Sequence, residues 1–198
     1  MRNVYKFLYP TLILAAICLI VSLALSSTNM ITEKKIAEIE EKNTNKAMQR
    51  VLKADNYTEK TLETDGEKIT YYEASEGGNV TGFIFITSAN GYGGEVRVMT
   101  AISDGIPRSI KAVEILDVSN ETPGLGQNAA QEKFYGQFSG MSDTLSIVKS
   151  GADSSAGEIN AVTGATITSR AVTKAVNEAL DLCKEIKTET EAGSDEKQ

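Results

Sequence analysis

Thr163-Gly164-Ala165-Thr166-Ile167-Thr168-Ser169 is the stretch from which the fold is read. Four hydroxyls lie within seven positions, spaced by Gly164, Ala165 and Ile167. Behind them Val172, Ala175, Val176, Ala179, Leu180 and Cys183 recur at three- and four-residue intervals, the apolar stripe of a helix running from Thr168 to about Lys187. A small, hydroxyl-rich loop therefore feeds a helix N-terminus. Two readings are open on these residues alone. Thr168 or Ser169 is an ordinary N-cap with Gly164 in the preceding turn. Alternatively, the free N–H groups and positive dipole end receive an anion such as phosphate.

Upstream of that helix the pattern is that of strands. Ile69-Thr70-Tyr71-Tyr72 reads as one strand within an otherwise polar segment from Asn56 to Gly78. Val80–Thr87, Glu95–Ile102, Ile110–Val118 and Leu145–Lys149 read as four more. Asn90-Gly91-Tyr92-Gly93-Gly94 and Asp104-Gly105 mark turns. Asn120–Gln127 is a loop, and Ala129–Phe138 a short helix. Consecutive strands followed by helices predict an α+β domain with a mainly antiparallel sheet and a C-terminal helix.

The N-terminal part obeys a different rule. From Phe7 to Leu25 there is no charge, and the uncharged run continues to Thr32. As a helix these nineteen apolar-dominated residues rise about 28 Å, close to a hydrocarbon core of about 30 Å. Pro10 falls early in the span, where proline is tolerated. Arg2 and Lys6 precede the run and no basic residue follows until Lys34, which predicts a cytoplasmic N-terminus and an extracytoplasmic main domain. A cleaved signal peptide is the competing reading, with small residues at Ala24, Ser26 and Ser27. The apolar core is longer than signal peptides carry, which favours a retained single-pass anchor in the cytoplasmic membrane. The organisation expected is an anchor over 1–30, a helical stalk over 31–54, one domain over 55–187 and a disordered acidic tail over 188–198. Ile36, Ile39, Ala47 and Val51 give the stalk only a thin apolar stripe.

Composition removes several functions. The net charge is −7 and no Lys/Arg cluster exists, so no nucleic-acid partner is expected. With no histidine, Ser-His-Asp and Cys-His catalysis and the commonest zinc ligand are unavailable. No catalytic or metal-ligating residue is assigned. Cys18 lies in the span and Cys183 on the last helix, so no disulfide framework is implied.

Three separated motifs then carry a resemblance. They are Gly91-Tyr92-Gly93-Gly94, Glu121-Thr122-Pro123-Gly124-Leu125-Gly126, and Thr163-Gly164-Ala165-Thr166 with Ile167-Thr168-Ser169. In this order, behind one anchor, they resemble the FMN-binding domain of the G subunit of the Rnf ion-translocating oxidoreductase complex. The C subunit of the sodium-pumping NADH:quinone oxidoreductase is a related family. The resemblance covers roughly residues 55–187.

The resemblance implies an electron-transfer subunit of a ferredoxin:NAD⁺ oxidoreductase, working with other membrane and redox subunits. It implies FMN attached covalently, through a phosphoester, to Thr166, placed there by a flavin transferase that uses FAD. Gly164 and Ala165 leave room for the approach, and Thr163, Thr168 and Ser169 can donate hydrogen bonds to the phosphate. Glu121 and Thr122 are expected to supply polar flavin contacts, Leu125 an apolar one and Lys149 a cation, with Tyr92 packing on the flavin or on the sheet. On the residues alone, a simple tight turn stays open for Glu121–Gly126 and a solvated surface position for Lys149. Two positions depart from the family pattern: Asn160 stands where aspartate usually begins the modification signature, and Asn120 stands where a histidine is often nearby. Two other functions remain open, the flavin subunit of a quinone-reducing sodium pump and a membrane-anchored, non-redox module for a phosphate-bearing ligand.

Overall fold

The computed structural model describes residues 2–64 and 66–195. Anchor and stalk form one uninterrupted helix, α1, over Arg2–Val51. The segment from Tyr9 onward is the one helix among the described residues long and apolar enough to cross a membrane. Leu12, Ile17, Ile20, Leu23 and Leu25 are all exposed on it. The Ser27, Thr28 and Thr32 hydroxyls each donate to the carbonyl four residues back at 2.8 Å, so these polar residues are satisfied by the helix itself.

The chain divides into two compact units, the first ending at Asn45 and the second beginning at Lys46. The last turns of α1 thus belong to the second unit. Five strands follow: β1 (Asn56–Thr64), β2 (Glu67–Glu76), β3 (Asn79–Asn90), β4 (Glu95–Ser103) and β5 (Ile110–Asp117). They form an antiparallel meander in the order β1-β2-β3-β4-β5. The central strands carry apolar residues on both faces because both faces of the sheet are covered. Side chains alternate across it. Phe83, Phe85, Val96 and Val98 enter the main core, while Ile84, Met99 and Ala101 pack with Ala47, Met48 and Val51 from the end of α1.

The main core is closed by α3 (Thr166–Asp195), whose Val172, Ala175, Val176, Ala179 and Leu180 are buried as the periodicity requires. Thr87 Oγ1 donates to the Ala175 carbonyl at 2.8 Å, tying sheet to helix. The Asn177 carboxamide accepts from Leu145 N–H at 2.8 Å and donates to Leu145 O at 2.9 Å. That pair fixes the start of β6 (Ser146–Val148), which runs parallel to β7 (Glu158–Asn160). Both cysteines are free. Burial pushes the Cys183 thiol above its ordinary value, opposed by the Arg108 guanidinium.

Several boundaries differ from the sequence reading. The polar segment 56–78 holds two strands rather than one, because β1 is an exposed edge whose only buried residue is Leu62. The expected helix over Ala129–Phe138 is broken: a 3₁₀ turn at Gly126–Ala130, one α-turn α2 (Glu132–Tyr135), and a 3₁₀ turn at Gly136–Phe138. The C-terminal helix begins at Thr166 and continues to Asp195, through most of the segment expected to be disordered. Glu189, Glu191 and Ala192 in that segment are strong helix formers. Residues 196–198 of the expected tail lie outside the described residues.

Candidate functional site

The three motifs converge, and they do so around Glu121. This carboxylate is only 2% exposed. Oε1 accepts from the N–H groups of Tyr92 at 2.8 Å and Gly93 at 3.1 Å, and Oε2 accepts from Thr168 Oγ1 at 2.7 Å. The surrounding glycines explain themselves through this contact. A Cβ at Gly91 or Gly126 would collide with the Glu121 carboxylate, and one at Gly93 with the Asn120 carbonyl. None of these three has a positive φ, so close approach rather than turn conformation requires glycine there. Gly164 is different: φ is +77°, and a Cβ there would also lie 3.0 Å from Leu125 Cδ2. Leu125 therefore reaches over the Thr163–Thr166 loop.

That loop is tightly closed. Ala165 N–H donates to the Val162 carbonyl at 2.9 Å. Ser169 Oγ accepts from Val162 N–H at 2.9 Å and donates to the Ala165 carbonyl at 2.9 Å. Thr166 opens α3, half-buried. Among the described residues, no partner occurs for the N–H groups of Thr166, Ile167 and Thr168. These are the orphan donors that make a helix N-terminus receptive to an anion.

The geometry corrects part of the expected roles. Thr168 and Ser169 are buried inside the first turn of α3, neither as its N-cap nor with a hydroxyl proton free for a phosphate, because those protons go to Glu121 and to Ala165 O. Glu121 is likewise engaged within the protein rather than presented as a polar flavin contact. Tyr92 does not pack on the sheet; its side chain is 72% exposed and only its backbone is held. Thr122, Leu125, Thr163 and Gly164 are exposed and Ala165 is buried beneath them. Of the four hydroxyls, Thr163 and Thr166 alone are accessible.

Beside Thr163 opens a cleft of about 600 Å³. Lys149, just after β6, lines it together with Val162 and Thr163, and Lys133 and Phe134 of α2 line it too. Lys133 carries no signal in the sequence, where nothing links it to residue 149. Gln137 and Asn160 also line the cleft and hold each other. Gln137 Oε1 accepts from Asn160 N–H at 2.9 Å and from Nδ2 at 3.1 Å, while Gln137 Nε2 donates to the Asn160 carbonyl at 3.2 Å. Asn160 Oδ1 accepts from Ala152 N–H at 3.0 Å. The amide at 160 therefore uses both a donor and an acceptor, and an aspartate would meet Gln137 Oε1 with a second acceptor.

Residues 91–181, which contain all three motifs, match the FMN-binding domain family model. Over 145 residues the chain is 37% identical to the G subunit of the proton-translocating ferredoxin:NAD(+) oxidoreductase complex of Clostridium ljungdahlii, spanning 68% of this chain and 75% of that one. Over 188 residues it is 36% identical to the G subunit of the Na(+)-translocating ferredoxin:NAD(+) oxidoreductase complex of Acetobacterium woodii, spanning 86% and 88%. The chain belongs to this G-subunit family. Its fold matches the crystal structure of Shewanella oneidensis NqrC with a TM-score of 0.50 at 20% identity, over 61% of this chain and 62% of that one. That likeness is one of fold. The family assignment and the long apolar helix α1 together make this a membrane-anchored protein with an FMN-binding domain.

The residues present fit FMN. A phosphate finds free N–H groups at the start of α3. The adjoining cleft offers two exposed cations, Lys133 and Lys149, with the buried Phe134 forming part of its floor.

Proposed function

We propose that this chain is the FMN-carrying electron-transfer subunit of an ion-translocating ferredoxin:NAD⁺ oxidoreductase complex, with FMN joined by a phosphoester to Thr166. The observation that carries the attachment point is the division of the four hydroxyls. Thr168 and Ser169 are buried and bonded inward, Thr163 lies outside the helix, and Thr166 stands beside the orphan N–H groups of α3. In maturation by a flavin transferase, Thr166 Oγ gains a bond to the FMN-side phosphorus of FAD as the diphosphate P–O bond breaks. AMP and the hydroxyl proton leave. Bound FMN supplies the electron-accepting and electron-donating chemistry. The chain's own part is to hold the phosphate at α3, shape the cleft and set the local charge with Lys149 and Lys133. It contributes no group that makes or breaks substrate bonds.

A covalent tether suits a domain outside the cytoplasm, where lost FMN is not replaced. Arg2 and Lys6 before the apolar run support that orientation. The other members of the complex and the flavin transferase are the partners this reading requires.

Colour after denaturation tests it. Protein purified from its native membrane and precipitated in acid stays yellow if the flavin is covalent, and Thr166→Ala loses the colour. A colourless wild-type protein sinks the covalent reading and favours a module for a free phosphate-bearing ligand.

A further inference from the structure

Glu121 raises a question that the flavin reading leaves open. A carboxylate this buried is costly unless compensated. Among the described residues it has no ion-pair partner. Its compensation comes from two backbone N–H groups, one hydroxyl and the positive end of α3. The two oxygens are divided between two elements: Oε1 grips the Gly91–Gly94 turn and Oε2 grips the first turn of α3.

The helix side of this contact is a departure from local habit. In a helix interior, Ser and Thr hydroxyls commonly bond back to the carbonyl four residues earlier. Ser169 does so to Ala165, and Thr173 does so to Ser169. Thr168 does not; its hydroxyl turns to Glu121, 47 residues away in sequence. Gly91 and Gly126 leave the room that the carboxylate needs.

We propose that Glu121 is a positioning residue for Thr166, clamping the Gly91–Gly94 turn to the first turn of α3 and so fixing the direction of the attachment hydroxyl. The inference rests on the reading of Thr166 as the flavin attachment point. Thr168 follows Thr166 by two residues in the same helical turn. Holding its side chain fixes where α3 starts and how that turn is rotated. The direction of Thr166 Oγ and the three orphan N–H groups follows. Glu121 therefore acts on the phosphate through the helix, without touching it.

The test compares Glu121→Ala, Glu121→Gln and Thr168→Val in the full-length chain, produced with its flavin transferase. Two quantities are read: covalent flavin per chain at a fixed early time, and amide hydrogen exchange resolved by segment. Glu121→Ala is expected to flavinylate up to about a hundredfold more slowly, the scale of a reacting group misplaced by about 1 Å. Its exchange should rise together at 91–94 and at the first bonded amides of α3, 169–172, with β3 and β4 still protected. Glu121→Gln should recover both readouts, because its amide oxygen accepts from Tyr92 and Gly93 while its NH₂ donates to Thr168 Oγ1. Thr168→Val removes only the helix-side arm. It should slow flavinylation and loosen 169–172 while leaving 91–94 protected, and it decides the matter if Glu121→Ala does not fold. Wild-type flavinylation in Thr168→Val, or exchange in Glu121→Ala that rises only next to residue 121, would overturn the proposal. A wild-type chain without covalent flavin would instead sink the attachment reading, and the exchange data would still decide the clamp.

Discussion

At the residue scale, the site depends on which polar atoms are satisfied inside the protein and which are left facing outward. Lys149 faces the cleft and is exposed. A cation near the flavin stabilises the negative charge added on reduction. Lys149→Met should therefore lower the midpoint potential in a folded, flavinylated protein. An interaction of about 1–2 kcal/mol corresponds to about 40–90 mV on a one-electron potential. Potentiometric titration reads this directly, and an unchanged potential would return Lys149 to the role of a solvated surface cation. Thr100 is the converse case. Its hydroxyl is buried in the middle of β4 with no hydrogen-bond partner among the described residues. Thr100→Val keeps the shape and removes the unpaired group, so it should leave stability equal or raise it by about 1 kcal/mol, read from urea unfolding.

The residue types of the site are legible in the sequence; their partners are not. Glu121 stands out through its motif, yet the room for its buried carboxylate comes from Gly126 at the end of that motif and from Gly91 in a separate turn. Thr168 and Ser169 look equivalent in a string of hydroxyls. Helix phase turns both inward, and only the long-range contact with Glu121 distinguishes them. Lys133 has no local signal, because the cleft it lines is made by tertiary packing of the broken helical segment against β6 and β7.

At the element scale, strand legibility tracks burial. β3 and β4 are evident because both faces are covered, so apolar side chains such as Ile84 and Phe85, or Val98 and Met99, stand next to one another. β1 escapes a sequence reading because a single buried residue, Leu62, gives no alternation to read. β7 escapes it because three residues paired in parallel leave almost no pattern. The stalk reads as thinly apolar. Its last turns instead supply Ala47, Met48 and Val51 to the second face of the sheet, and Arg50 pairs with Glu114 on β5. A fragment beginning at Asn56 should thus be markedly less stable than one beginning at Lys46. Met48→Ala alone should cost about 2–5 kcal/mol, the range for buried large-to-small changes. Thermal unfolding of the two fragments checks this, and equal melting temperatures would mean that those turns add nothing to the domain.

Asp117, at the end of β5, adds a pH dependence. Ser119 N–H donates to its carboxylate at 2.8 Å and holds it below the usual aspartate range, aided by the Ser119 hydroxyl. The folded value lies below the unfolded one. The stabilisation is therefore present above about pH 4 and is lost as pH falls toward the folded value. Asp117→Asn should show a shallower loss of stability between about pH 6 and pH 3 than the wild type, measured as the shift in urea midpoint.

At the scale of the whole molecule, a long apolar helix precedes a domain of one antiparallel sheet closed by α3. The charges of Arg2 and Lys6 before the apolar run predict a domain outside the cytoplasm. Cys183 is buried and Cys18 lies in the apolar run, so a cysteine introduced as Ser194→Cys is the reporter expected to react. It should label with a membrane-impermeant thiol reagent in intact spheroplasts. Labelling only after lysis would place the domain in the cytoplasm and change the set of partners.

The central claim is chemical, and peptide mass spectrometry tests it most directly. Protein isolated from its native membrane, denatured and digested, should yield one modified peptide, carrying the mass of FMN less one water, with fragmentation placing the addition on Thr166. The same mass on Thr168 or Ser169, or its absence from the whole digest, would contradict that claim.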